Sequence, residues 1–464
     1  MTATIDRSTS LPTDEQEVRE PPLTSPPLPE PTRRRLTALL WAGVVVSLPI
    51  ALVAALIIPS MLGSGDDPLL VVDGSGLVSR LDVGETRPTY TLDGASVSAD
   101  GSTIFQSEVT SGGTTEVRQI DPKSGEATTT AVVLGDAREI RTVSPNGDAV
   151  ALLPVVEADL DLYEPVPRLR TPIDVLFSDG REPVSFDLAG NFEPETFNRD
   201  ATVLYLLEFF PAEAPDRYFV RQLDLTTGEI SEVYSPNVEL APQMRGQARA
   251  QVLAPDFSYL YTLYTLEPDD DPLTDPTATG DTDRWSFVHV LSLDEDWSFC
   301  IFLPVPIGTT ARSELSMAIA PDGLNLFVVD RVTGTIAVID TTNFVVRGTA
   351  DSTTLRPGDD SEPSSAVGVD GRLYTTNGNG ILAYSSDLTQ PEQVWWSAGE
   401  RVTDLQASAA GSQLRVAMGN KVVIFDVDRN ETVATLAVPG DGASFVGPPG
   451  QSVSISEGPL ECAC

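Results

Sequence analysis

The chain has 464 residues, of which 68 are Asp or Glu and 29 are Lys or Arg, with one histidine and three cysteines, for a net charge of −39. So acidic a chain repels phosphate backbones, which excludes sequence-independent nucleic-acid binding, and the lone imidazole of His289 excludes a multi-histidine metal centre. Apolar residues at 41% and charged residues at 21% are globular proportions, so most of the sequence can bury a core.

Residues 1–35 are rich in Pro, Glu, Ser and Thr and read as a disordered tail, since too few large apolar groups are present to offset the entropy of ordering. Residues 36–58, "LTALLWAGVVVSLPIALVAALII", carry no charge over 23 positions, about 34 Å as a helix at roughly 1.5 Å per residue, and predict a transmembrane helix. Arg33, Arg34 and Arg35 precede it while Asp66 and Asp67 follow a short linker, 59–68. The positive-inside rule therefore keeps the tail cytoplasmic and sets everything after residue 60 outside the cell membrane. That outer part carries −38, from 24 basic and 62 acidic side chains.

From residue 69 to 456 a turn signature recurs: a small or polar residue, Asp, Asn or Gly, then a step into an apolar pair. Its instances are "SADGSTIF", "SPNGDAVA", "NRDATVLY", "APDFSYLY", "APDGLNLF", "GVDGRLYT", "AAGSQLRV" and "PPGQSVSI", turning at 101, 147, 201, 257, 323, 371, 411 and 450. The spacings of 46, 54, 56, 66, 48, 40 and 39 each fit one four-stranded blade. Alternating stretches such as "TIAVID" and "KVVIFDVD" mark strands, so the fold class is all-β and the architecture a β-propeller. The opening "LLVVDGSGLVSRLD" reads as the second half of a blade and the closing "GASFVGPPGQSVSI" as a first half; together they make an eighth blade. Seven is the alternative if the unit around 201 is only an insertion.

The stretches "LFVVDRVTGTIAVIDTTNFVVRGTA" and "LRVAMGNKVVIFDVDRNETVATLAVPG" resemble the YVTN-type repeat of bacterial and archaeal surface-layer β-propellers, best over residues 315–440. The resemblance implies the propeller fold and specifies no ligand.

No G-x-S-x-G elbow, Gly-rich phosphate loop or closely spaced metal-ligand motif is present, so the sequence nominates no catalytic residue, metal site or cofactor. His289 shares a strand face with Trp285, Phe287, Leu291 and Leu293 and reads as a packed core histidine. Three connections between second and third strands are long and consecutive: "PVVEADLDLYEPVPRLRTP", "EFFPAEAPDRY" and "LEPDDDPLTDPTATGDTDRW". They nominate a binding rim with aromatic anchors Tyr163, Phe209, Phe210 and Tyr218 among the acids Asp159, Asp161, Glu164, Asp269, Asp270 and Asp271, suited to a basic protein partner. The acidic run 269–283 lacks the glycine and terminal glutamate of an EF-hand loop. Cys300 reads as a buried thiol lying across the ring from the C-terminus, and Cys462 and Cys464, in the tail 457–464, as the disulfide candidates. The reading is a single-pass, membrane-anchored, extracytoplasmic propeller that binds or scaffolds. Two alternatives are a surface sensor signalling through the tail and a metal-dependent propeller hydrolase or lactonase.

Overall fold

Strands such as Ala149–Pro154, Ser286–Ser292 and Leu315–Ile319 are buried at consecutive positions and so on both faces, and a sheet of that kind must be covered twice. The solution is radial: eight antiparallel sheets, seven of four strands and one of five, stand side by side, each sandwiched between two neighbours. The computed structural model describes residues 69–454 except 84, 86, 130–131, 156–166, 216, 236–246, 267–285, 311–313, 358–361, 378–379, 386–387, 389–390, 398–399, 409–412 and 447–451. The tail, the apolar span 36–58 and the cysteines 462 and 464 lie outside the described residues; within them no helix is long and apolar enough to cross a membrane.

Blade 1 is composite, with Leu69–Val72, Val78–Leu81 and Tyr90–Leu92 joined by Ser444–Val446 as its innermost strand. Blades 2 to 8 occupy residues 95–134, 138–189, 191–232, 247–302, 315–351, 365–397 and 402–437. The unit around 201 is thus a full blade, and the count is eight. Apolar layers fill each of the eight seams. Leu70, Val78, Ile104 and Ile120 join blades 1 and 2, and Phe105, Val150 and Leu176 join 2 and 3. Further layers run round to blades 8 and 1, where Val422, Ile424 and Leu436 meet Leu69, Val71 and Phe445. Closing the circle with strands from both ends of the domain leaves no free terminal blade for another chain to pair with.

The recurring turn has a backbone cause. Its central residue is left-handed in all six described instances, with φ of +70° at Gly101, +75° at Gly147, +47° at Ala201, +60° at Phe257, +73° at Gly323 and +78° at Gly371. The residue before it is Asp or Asn in most cases because a short side-chain oxygen can bind the amide beyond the turn. Asp100 accepts from Ser102 N at 2.9 Å, Asp322 from Leu324 N at 2.9 Å and Asp370 from Arg372 N at 3.1 Å.

One element departs from the sequence reading. "GASFVGPPGQSVSI" does not form two strands of one blade: Ser444–Val446 closes blade 1, whereas Ser452–Ser454 pairs antiparallel with Gln247–Leu253, the innermost strand of blade 5. Alternation in a short strand fixes which face is apolar but not which sheet edge it joins, so the turn signature could not distinguish the two.

Candidate functional site

The first strand of every blade runs in the same sense at the inner edge, so links between second and third strands emerge at one end of the ring. In blades 3, 4 and 5 these links are 155–169, 211–216 and 266–285; the first and third are long, but 211–216 exceeds 73–77 of blade 1 and 110–114 of blade 2 by a single residue, so the insertion expected in blade 4 is mostly strand. The first two are joined, since Arg168 N donates to Ala212 O at 3.1 Å. Arg168 then turns toward the inner edge, where its guanidinium bonds Phe192 O at 3.2 Å and the Glu193 carboxylate at 3.3 Å.

Of the expected anchors, Phe210 is on the surface, 44% exposed, with the Arg217 guanidinium 4.6 Å above its ring. Phe209 and Tyr218 are not. They are 6% and 1% exposed and pack with Tyr264, Leu266 and Phe287 in the seam between blades 4 and 5. The reason is strand length: the second strand continues to Phe210 and the third starts at Arg217, so Phe209 and Tyr218 are cross-strand partners rather than loop residues. Tyr163, Asp159, Asp161, Glu164, Asp269, Asp270 and Asp271 lie outside the described residues.

Below the rim, the inner strands of blades 3, 4 and 5 are each broken by a bulge, which skips one residue in the ladder. The skipped residues are Arg141, Glu195 and Arg249. Bulges re-aim side chains, and here they place three charged groups along adjacent seams at the inner edge. Arg141 spans blades 3 and 4, with Nε 2.6 Å from Glu193 Oε1 and a terminal nitrogen 3.0 Å from Glu139 Oε1. Glu195 receives Gln251 Nε2 from blade 5 at 3.3 Å on Oε1, and the same amide reaches Thr262 Oγ1 at 3.1 Å. Arg249 Nε donates to Thr265 Oγ1 at 2.8 Å. Glu195 Oε2 is shut off from solvent and has no hydrogen-bond partner among the described residues. Burial pushes this carboxyl up to about 7, because an ionised oxygen there loses water. That carboxyl is therefore partly protonated at neutral pH. The signal for these residues lay in "EIRTV", "NFEPETF" and "QARAQV", charges inside otherwise strand-like runs, which the sequence reading passed over.

Elsewhere the buried polar groups hold blades together. Asp404 accepts from Ser364 Oγ of the preceding link and from Phe445 N of the closing strand, each at 2.8 Å; burial raises its carboxyl to about 6 against those bonds. Arg331 is fully buried, its guanidinium 2.6 Å from Glu314 Oε2 and 2.9 Å from Thr376 Oγ1 of blade 7.

His289 is 2% exposed and lies edge-on to Tyr264, with ring centroids 6.5 Å apart. Cys300 is its cross-strand partner. Burial drives the imidazole down to about 4 and the thiol up to about 12, so both groups are neutral, the opposite of an activated thiolate–imidazolium pair. Cys300 is half-buried on the outermost strand of blade 5. Because Ser452–Ser454 returns the chain to that same blade, the ring diameter does not separate Cys300 from the C-terminus, and the distance argument for pairing Cys462 with Cys464 lapses. Among the described residues no group of three His, Cys, Asp or Glu side chains is placed to hold a metal ion.

No family model matches the chain, and no curated protein does. Solved structures similar to it include dihydro-heme d1 dehydrogenase NirN in complex with DHE, at 13% identity and TM-score 0.48 over 83% of this chain and 76% of that one. Apo AztD from Citrobacter koseri is similar at 11% identity and TM-score 0.45, over 84% and 97%. A eukaryotic initiation factor is similar at 14% identity and TM-score 0.45, over 80% and 85%. Identities this low transfer no residue and no activity.

Proposed function

We propose that the chain is a membrane-anchored, extracytoplasmic binding propeller of the YVTN type, whose partner docks on the end of the ring where blades 3 and 5 carry their long links on either side of blade 4. The observation that carries this reading is that the two longest links, 155–169 and 266–285, stand on either side of blade 4, the first of them bonded to the blade 4 link through Arg168 and Ala212. Evenly distributed loops would have no such asymmetry; loops positioned by a rigid scaffold are where binding concentrates. The anchor is residues 36–58, read from their uncharged length and flanking charges. A domain of −38 with Asp269, Asp270 and Asp271 in the longest link favours a basic partner, whose encounter rate would fall with ionic strength.

The test uses residues 59–464 as bait against detergent-solubilised membranes. Two variants separate binding from folding: Phe210→Ser, and replacement of 267–285 by a short Gly-Ser linker. Both keep the buried Phe209–Tyr218 pair. Loss of a specific captured protein by either folded variant supports the rim; unchanged capture by both rejects it.

A further inference from the structure

Seven of the eight innermost strands have no fifth strand on their inner edge among the described residues. Gln247–Leu253 of blade 5 does: Ser452–Ser454 pairs with it in the register Val252 to Ser452, Gln251 to Val453 and Ala250 to Ser454. The same added strand approaches Leu315–Ile319, the innermost strand of blade 6. Its chain comes from Val446 on blade 1, four blades away, only six residue steps earlier, a reach of at most about 21 Å. In a domain so rich in carboxylates, residues 442–456 form an uncharged run of 15, "GASFVGPPGQSVSIS", bounded by Asp441 and Glu457.

We propose that the inner edge of Gln247–Leu253 is a strand-addition site for an extended, uncharged peptide, and that residues 452–454 occupy it in cis as a displaceable resident. A strand edge offers a row of backbone N–H and C=O groups, and an extended segment satisfies them through main-chain bonds with little demand on its side chains. Occupancy here hinges on three paired positions, so the resident is held mainly by its tether. An uncharged segment fits because the adjoining seam already contains a desolvated carboxyl, Glu195, bonded to the side chain of Gln251, the residue opposite Val453. A charged side chain brought into this seam would lose water that main-chain pairing does not replace. This site is separate from the rim and stands if the rim fails.

The probe is a synthetic peptide of residues 450–456, labelled at its N-terminus, with a Val453→Pro peptide as control. Three proteins are compared: the full chain, the full chain carrying Val453→Pro, and a chain ending at Val446, which keeps the closing strand. The full chain should exclude the probe, and both altered chains should bind it and not the proline control. In the same proteins, amide exchange across Ala250–Val252 should be about tenfold faster or more in the altered chains and return toward the full-chain rate on adding probe. Should the shortened chain fail to fold, the proline variant alone decides. Absence of binding by a folded altered chain, or equal binding by all three, overturns the proposal.

Discussion

Glu195→Gln isolates the energetic consequence of the bulge in the inner strand of blade 4. The carboxyl rises from an ordinary value near 4.5 to about 7 through burial alone. A raised acid binds its proton more tightly in the folded than in the unfolded chain. Its stabilising protonation is therefore complete below pH 4.5 and is lost as pH climbs through 7. At 1.36 kcal/mol per pH unit, the group removes up to about 3 kcal/mol of stability between pH 4.5 and 8. Glutamine keeps the shape and a carbonyl for the Gln251 amide but cannot ionise. Urea unfolding at pH 5, 6, 7 and 8 should then give nearly equal stabilities for the two proteins at pH 5. The variant should gain steadily, by about 3 kcal/mol at pH 8. Asp404, raised to about 6, and the mutual repulsion of the surface acids lower stability with pH in both proteins and cancel in the difference. Parallel pH profiles would refute the assignment of a dry carboxyl to this position.

Gly101 and Gly147 are both left-handed, so alanine at either costs about 1 kcal/mol of backbone strain; at 147 the new Cβ also collides with the Thr103 side chain, whereas at 101 it meets nothing, so Gly147→Ala should lower the denaturation midpoint clearly more than Gly101→Ala. Arg331→Leu should destabilise by about 3 kcal/mol because it takes from the Glu314 carboxylate the buried guanidinium paired with it at 2.6 Å, and the double variant with Glu314→Gln should recover part of the loss in the same unfolding assay.

Local chemistry made the ring readable. The turn repeats because one backbone position must be left-handed and the preceding Asp or Asn can bind across it, and that requirement marks the sequence even where Ala201 or Phe257 replaces glycine. That blade 1 is composite was legible because the opening strands have no turn signature before them, but it closes as three strands plus one and not as two halves. What local pattern cannot carry is the choice among equivalent edges. "SVS" alternates equally well beside any inner strand, and its place in blade 5 depends on where the chain can reach. Phe209 and Tyr218 misled because proline and acidic residues between them resemble a loop from end to end, while the strands extend into that stretch and period-two alternation buries one phenylalanine and exposes the next. The charged bulge residues escaped because a bulge breaks the very alternation by which strands are recognised.

The central claim is that an external partner binds at the long-link end of blades 3 to 5. It is tested most directly by photo-cross-linking in intact membranes, with a photoreactive phenylalanine analogue placed at Phe210 or, as a control, at Val433 on the exposed outer strand of blade 8. The account predicts a discrete adduct from position 210, weakened by raised salt, and none from 433. No adduct from 210, or the same adduct from both positions, would contradict it.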